Sequence, residues 1–366
     1  VTSPALTKLA PAVLQQHDVL VGTDNAFQQR ARLLQALWRE ARGLPVGEHR
    51  GLPLGSTLEL THAKESLANF LTETIRDVVR HDVLGPGRDP GSLIREDRLL
   101  ANLLSSQPLC FNLFGELQRD LDLATRALGA LVPGRIGRVT EILFEHSPSR
   151  RDPRFTGDRS AFDVFVRYES PSGRRGFLGV EVKYHEALND QAAEHRARYD
   201  ELADAMGCFP PDRTALKDKP LQQIWRDHLL AGALLAGGLG YDEGAFVFLY
   251  PRDNTACTRA LDAYRAELTN ADTFLVWTLE DVVAALHAAS DAPWVDALEE
   301  RYLDLAKAET WPECPACHAH EAIPILYGDP TREAEQAARR GEIVLGGCCL
   351  MGDDPKWHCR ACERDW

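Results

Sequence analysis

Lysine is scarce in this 366-residue chain, seven residues against 34 arginines, and positive charge as a whole is short. The 41 basic residues face 55 acidic ones, a formal net charge of −14. A protein that coats nucleic acid by general phosphate neutralisation needs the opposite balance, so that class is excluded. Long apolar runs are also missing: Leu229 to Gly240, the longest, is too short and too rich in glycine to span a bilayer, and no membrane contact is expected. The first residues, Val1 to Pro11, lack the basic segment leading into an apolar core that marks an export signal, so a cytoplasmic location is expected. The excess of arginine over lysine fits coding by a GC-rich bacterial genome. What remains is an ordinary globular composition, 44% hydrophobic, 26% charged and 8% aromatic, at a length that allows two or three domains.

Periodicity and breakers divide the chain into three parts: a helical region over 1–107, a mixed α/β domain over 108–308 and a cysteine-rich module over 309–366. In the first part Asp24 is placed to cap a helix running through Trp38. A second helix is expected from His62 to Val83, with Leu67, Phe70, Leu71, Ile75, Val78 and Val79 at helical spacing. The glycine- and proline-rich run from Gly85 to Gly91 then breaks the chain, and a further helical piece follows from Leu93 to Leu104. Phe111 to Val132 reads as one amphipathic helix closed by Pro133 and Gly134. Arg138 to His146 reads as a strand, and Ser147 to Asp158 as a loop.

The chemistry concentrates between Arg159 and Glu186. Ala161 to Tyr168 alternates as a strand that carries Asp163, and Pro171, Ser172 and Gly173 supply a turn. Phe177 to Tyr184 is the returning strand, with Glu181 and Lys183 on one face and Val180, Val182 and Tyr184 on the other. Adjacent strands lie about 4.8 Å apart, so a suitable register brings Asp163 beside Glu181 and Lys183. Two carboxylates at that range repel each other unless a cation joins them. Mg²⁺ or Mn²⁺, hard ions that prefer oxygen, would take Asp163, Glu181 and the Val182 carbonyl as ligands. The triplet acid-x-Lys is expected about once by chance in a chain of this composition, so its weight comes from its place on an apolar strand next to a second acid. From Gly134 to Lys183 ten basic residues face seven acidic ones, a local reversal of the net charge suited to a phosphate backbone.

Downstream, Asn189 to Ala205 reads as a charged helix and Leu221 to Ala236 as an apolar one, with Gln223 and Arg226 one turn apart. Ala245 to Tyr250 and Thr273 to Thr278 read as buried strands, Asp262 to Leu268 and Glu280 to Ala289 as helices.

With Asp163 followed by Glu181-Val182-Lys183, the stretch from Phe111 to Leu286 resembles the PD-(D/E)XK superfamily of restriction-endonuclease-like nucleases. Asp163 matches the second acid of the motif and Glu181-Val182-Lys183 the (D/E)XK; Phe162 stands where the motif's name has proline. The resemblance implies an α/β fold with an αβββαβ core, a Mg²⁺-dependent hydrolase acting on DNA, with RNA kept open, and a role in bacterial defence. It assigns Asp163 and Glu181 to the metal and Lys183 to the attacking water. It implies a third acid, for which Glu116 on the preceding helix and Glu145 at the end of the first strand compete, and it gives Gln223 the task of holding water or phosphate. Two alternatives stand beside it: a non-catalytic nucleic-acid sensor or adaptor, and a structural subunit of a defence complex.

The last part holds six of the nine cysteines. Cys314-x-x-Cys317 and Cys359-x-x-Cys362 have the form of two zinc knuckles presenting four thiolates to a structural Zn²⁺. The insert between them is long, and Cys348 or Cys349, or His318 and His358, are alternative ligands. The module has few apolar residues, so the metal should supply most of its folding free energy, about 10 kcal/mol. This ribbon or the N-terminal region is the expected docking place of a partner protein, and self-association is left open. Cys110, Cys208 and Cys257 are isolated and read as packing residues.

Overall fold

The computed structural model describes residues 6–85, 87–88, 94–148, 150–189, 191–309, 312–348 and 354–366. They form two compact units, one of residues 1–59 with 304–366 and one of residues 60–303. Residues 60–107, grouped with the N-terminal region by sequence, thus belong to the unit that carries the central sheet.

The first unit begins with helices α1 (Pro11–Gln16) and α2 (Ala26–Ala41). Asn25, not Asp24, caps α2: its side chain accepts from the Gln28 amide, and the Gln28 side chain accepts from the Asn25 amide. Asp24 instead takes Arg32 in a buried ion pair at 2.6 Å. The region is not wholly helical as the sequence suggested, because β1 (Val46–His49) and β2 (Leu52–Leu58) form an antiparallel hairpin. Its two turn residues, Arg50 at φ 56° and Gly51 at φ 77°, are both left-handed, the conformation whose twist matches a two-residue hairpin.

In the second unit the stretch expected as one helix to Val83 is two, α3 (Leu60–Ser66) and α4 (Glu73–Asp82), because the Thr72 hydroxyl restarts the helix by accepting from the Ile75 amide. Helix α5 (Glu96–Leu100) follows; Leu93 and Gly91, which bounded the expected break and helix, lie outside the described residues. Asp120 likewise splits the expected Phe111 to Val132 helix into α6 (Ser106–Arg119) and α7 (Leu121–Leu131), capping the second through the Leu123 amide.

The sheet consists of β3 (Arg138–His146), β4 (Phe162–Glu169), β5 (Arg175–Val182), β6 (Glu243–Tyr250) and β7 (Phe274–Thr278), in that spatial order. Strand β4 runs antiparallel to both β3 and β5, and β6 and β7 then run parallel to β5. Between β5 and β6 lie α8 (Ala197–Met206) and α9 (Leu221–Ala236); α10 (Thr255–Ala266) links β6 to β7, and α11 (Leu279–Ala289) and α12 (Pro293–Tyr302) close the unit. This is the expected αβββαβ core. Phe165, Phe177, Phe246 and Phe274 of the sheet pack with Trp225, Leu229 and Tyr264 of α9 and α10. On the other side α6 packs against β3, β4 and β5, and α7 against β3 and α11. Gly179 on β5 is there for space, since a Cβ would lie 2.5 Å from the ring of Phe162.

Back in the first unit, β8 (Ala322–Tyr327), α13 (Arg332–Arg339), β9 (Val344–Gly347) and β10 (Trp357–Cys359) complete the chain, with strand order β10-β8-β9. Helix α13 and β9 account for the long insert between the two cysteine pairs. Among the described residues no helix is long and apolar enough to cross a membrane.

Candidate active site

The β4–β5 ladder runs down to Val164 opposite Val180, and one residue further the Asp163 side chain takes over from the backbone. Its Oδ2 accepts from the Val182 amide at 2.8 Å, which pins the first acid to the strand that carries the second. On β5 the alternation that sends Phe177 into the core under α9 sends Glu181 to the same side. There Glu181 Oε1 receives two donors, Lys183 Nζ at 2.7 Å and Gln223 Nε2 of α9 at 2.7 Å. Lys183 stands just past the strand end, its amide still bonded to the Leu249 carbonyl at 2.8 Å. Asp163, Glu181, Lys183 and Gln223 all line one cavity of about 410 Å³.

Burial sets the electrostatics. It pushes the Asp163 carboxyl well above the ordinary carboxylate range, reinforced by Glu181 and Glu145 and only partly opposed by Lys183 and the Val182 amide. Burial alone would discharge Lys183, yet Glu181, Glu186 and Asp163 outweigh it, and the ammonium is held firmly charged. Glu186 is fixed by the amides of Tyr184 at 2.8 Å and Ser106 at 3.2 Å; despite burial, Lys183 and these amides lower its pKa.

Of the two competing third acids, Glu145 reaches the cavity. Its φ of 51° is left-handed, a sparsely populated conformation for a residue with a side chain, at the end of β3 opposite Asp163. Glu116 does not reach it. Helix α6 points its first turn, Ser106 and Gln107, at the cavity, and ten residues on Glu116 lies about 15 Å further along the axis. There it accepts a hydrogen bond from the Thr72 hydroxyl.

Several residues here were not picked out by motif. Asp158, in the loop before β4, accepts from Thr156 Oγ1, Tyr199 OH and the Ser160 amide, and pairs with Arg226 Nε at 3.0 Å. Burial would raise its pKa, but Arg226 and these donors hold it well below the carboxylate range. Asp227, one residue on from Arg226, is buried in the cavity wall; burial and Glu181 push its carboxyl well up. Its only sequence signal is its spacing, four residues after Gln223 on the same helix face. The expected helix from Asn189 starts at Ala197 instead, because the Gln222 side chain holds Ala193 by both its amide and its carbonyl, each at 2.6 Å.

In the first unit the Sγ atoms of Cys314, Cys317, Cys359 and Cys362 lie within 4.8 Å of one another, with Cys314–Cys362 and Cys317–Cys359 each at 3.6 Å. Four thiolates about 2.3 Å from one zinc stand about 3.8 Å apart at the corners of a tetrahedron, so the set fits that ion. The two knuckles repeat one turn. His318 and Glu363, each just after the second cysteine, are left-handed at φ 59° and 57°, and each donates its amide to the carbonyl of the first cysteine. The alternative ligands are used otherwise: the His318 ring bonds Glu313, and His358 bonds Asp365 at 2.6 Å. Cys348 is not part of the cluster, and Cys349 lies outside the described residues.

A three-stranded antiparallel meander extended by parallel strands, with an acid, an acid-x-lysine triplet and a helix glutamine at one cavity, defines a nuclease-type fold. The family model of the PD-(D/E)XK nuclease superfamily matches residues 22–304, and the chain belongs to that superfamily. No curated protein and no solved structure matches the chain.

Proposed function

We propose that this protein is a metal-dependent deoxyribonuclease that hydrolyses phosphodiester bonds of DNA. The observation that carries the reading is the convergence of Lys183 and Gln223 on one oxygen of Glu181 beside Asp163. The donor set fits a divalent cation: two carboxylates at the end of one strand pair, all hard oxygen, in surroundings where burial penalises Asp163 as a free anion. Mg²⁺ or Mn²⁺ held by Asp163, Glu181 and the Val182 carbonyl would acidify a water and offset charge on the scissile phosphate.

The protein's own groups do the positioning. Lys183, buried and charged, can hold an attacking water or a phosphate oxygen with the N–H bonds not given to Glu181. Gln223 fixes the Glu181 carboxylate, so that its free oxygen keeps one direction. Glu145 adds a third acid at the Asp163 side. Arg159 and Lys219, exposed at the same cavity, suit the flanking phosphates of the backbone. The cysteine module, closed by four thiolates, has no open position for chemistry and serves recognition or partner docking. The setting, defence of a bacterial cell against foreign DNA in its cytoplasm, rests on the family resemblance.

The test is incubation of the zinc-loaded chain with supercoiled plasmid and with linear single- and double-stranded DNA, in Mg²⁺, Mn²⁺ or EDTA. Cleavage in either cation and none in EDTA is expected. Binding without cleavage in every condition would instead make the protein a nucleic-acid sensor.

A further inference from the structure

Arg226 is braced along one edge and open along the next. Its Nε donates to Asp158 Oδ2 at 3.0 Å and its Nη2 to Ser160 Oγ at 2.9 Å. In the planar guanidinium those two nitrogens share an edge, so the edge formed by Nη1 and the second N–H of Nη2 stays available. Nη1 meets no acceptor among the described residues and is not shut from solvent, and the residue lines the cavity. The brace is itself fixed. Besides Arg226, the buried Asp158 carboxylate accepts from Thr156 Oγ1 at 2.7 Å, Tyr199 OH at 2.7 Å, the Ser160 amide at 2.8 Å and Ser160 Oγ at 3.1 Å. A carboxylate so supplied stays ionised on neutral donors, whereas a guanidinium whose side chain is only 20% exposed needs an anion beside it. The network therefore serves the arginine.

On α9 Arg226 follows Gln223 by three residues, so the two side chains leave the helix about 5–6 Å apart on one face. Gln223 holds Glu181 at 2.7 Å. The open edge of Arg226 thus stands about one helical turn from the acid and lysine cluster, a spacing on the scale of consecutive phosphates in one strand. We propose that Arg226 binds the backbone phosphate next to the scissile one, with Asp158 and Ser160 as its positioning residues, an inference that rests on the nuclease reading above. The ligand is a phosphodiester anion, whose two non-bridging oxygens match a fork of N–H donors. Arg159 and Lys219 at the same cavity are exposed side chains. Arg226 alone of the three is held in a buried network, which fixes where that phosphate lies.

The experiment measures the affinity of the full, zinc-loaded chain for fluorescent single-stranded and duplex DNA as salt is varied, with Ca²⁺ in place of Mg²⁺, for wild type and Arg226→Gln. Loss of one phosphate contact should raise Kd about 10-fold at low salt and reduce the slope of log affinity against log salt by about 0.7 for a single strand or about 0.9 for a duplex. An arginine with only a structural task would leave that slope at its wild-type value, and an unchanged slope overturns the inference. Because Arg226→Gln leaves Asp158 without its cation, the double variant Asp158→Asn with Arg226→Gln, which strands no charge, is measured beside it and should show the same fall. If neither variant folds, the network is structural and the inference fails. Cleavage in Mg²⁺ places the phosphate: KM raised with kcat within about threefold of wild type is expected, and kcat lost at unchanged KM contradicts the position next to the scissile bond. A slope that falls in a protein that never cuts DNA keeps the phosphate contact and sinks the nuclease reading. An unchanged slope in a protein that does cut sinks only the contact.

Discussion

Gln223 Nε2 donates to Glu181 Oε1 across 2.7 Å, the same oxygen on which the Lys183 ammonium rests at 2.7 Å. A helix and a strand thus fix one carboxylate from two directions, which leaves its second oxygen with a defined aim. Replacing Gln223 by Leu keeps volume and removes the anchor. The expected cost is about 10- to 100-fold in activity or metal affinity, the usual effect of removing a group that orients a ligand, and kinetics with a Mn²⁺ titration check it.

The two rival third acids separate cleanly. Glu116→Gln should leave cleavage within about twofold and cost about 1 kcal/mol of stability, because its contact is the Thr72 hydroxyl at the start of α4. Glu145→Gln should lower cleavage by about tenfold, because its side chain is at the cavity beside Asp163. Parallel rate and denaturation measurements on both variants decide it.

The Asp158–Arg226 pair gives stability a pH dependence of known sign. The Asp158 pKa is lowered from its ordinary 3.8, so in acid the folded state binds fewer protons than the unfolded state. Its contribution is complete above pH 3.8 and is lost as pH falls below that value towards the folded pKa. Asp158→Asn strands a largely buried guanidinium and should cost about 3 kcal/mol at pH 7. The gap between variant and wild type should shrink steadily below pH 4, read from urea unfolding across the range.

The cysteine module should carry one zinc per chain. Cys362→Ser, or removal of the metal by a chelator, should release it and expose residues 312–366 to proteolysis, since a zinc of this kind is worth about 10 kcal/mol to a small domain. Elemental analysis and limited digestion report both.

Much of the fold was legible in the sequence. Arg138–His146 and Leu221–Ala236 fold with the bounds their periodicity gives, since a continuous apolar pattern meets no competing cap inside it. That Asp163, Glu181 and Lys183 line one cavity was readable because alternation puts Glu181 and Lys183 on one face and the antiparallel register brings Asp163 beside them. The missed features depend on short polar side chains acting locally: Thr72 and Asp120 start new helices inside apolar patterns, and the left-handed Arg50 and Gly51 turn a hairpin. Glu116 and Asp227 show the tertiary limit. Sequence shows that both are helix acids, but only the direction of α6 takes the first away from the cavity. Only the commitment of Arg226 to Asp158 and of Lys183 to Glu181 leaves Oδ2 of the second without a donor among the described residues.

On the proposed function, Lys183 and the acids around it cut a phosphodiester bond. Cleavage of supercoiled plasmid in Mg²⁺ or Mn²⁺ by wild type and by Lys183→Ala, with DNA binding measured on the same samples, tests it most directly. Cleavage should fall at least about 100-fold in the variant while binding persists. Equal cleavage by the two proteins, or a wild type that binds DNA and never cuts it, would contradict it.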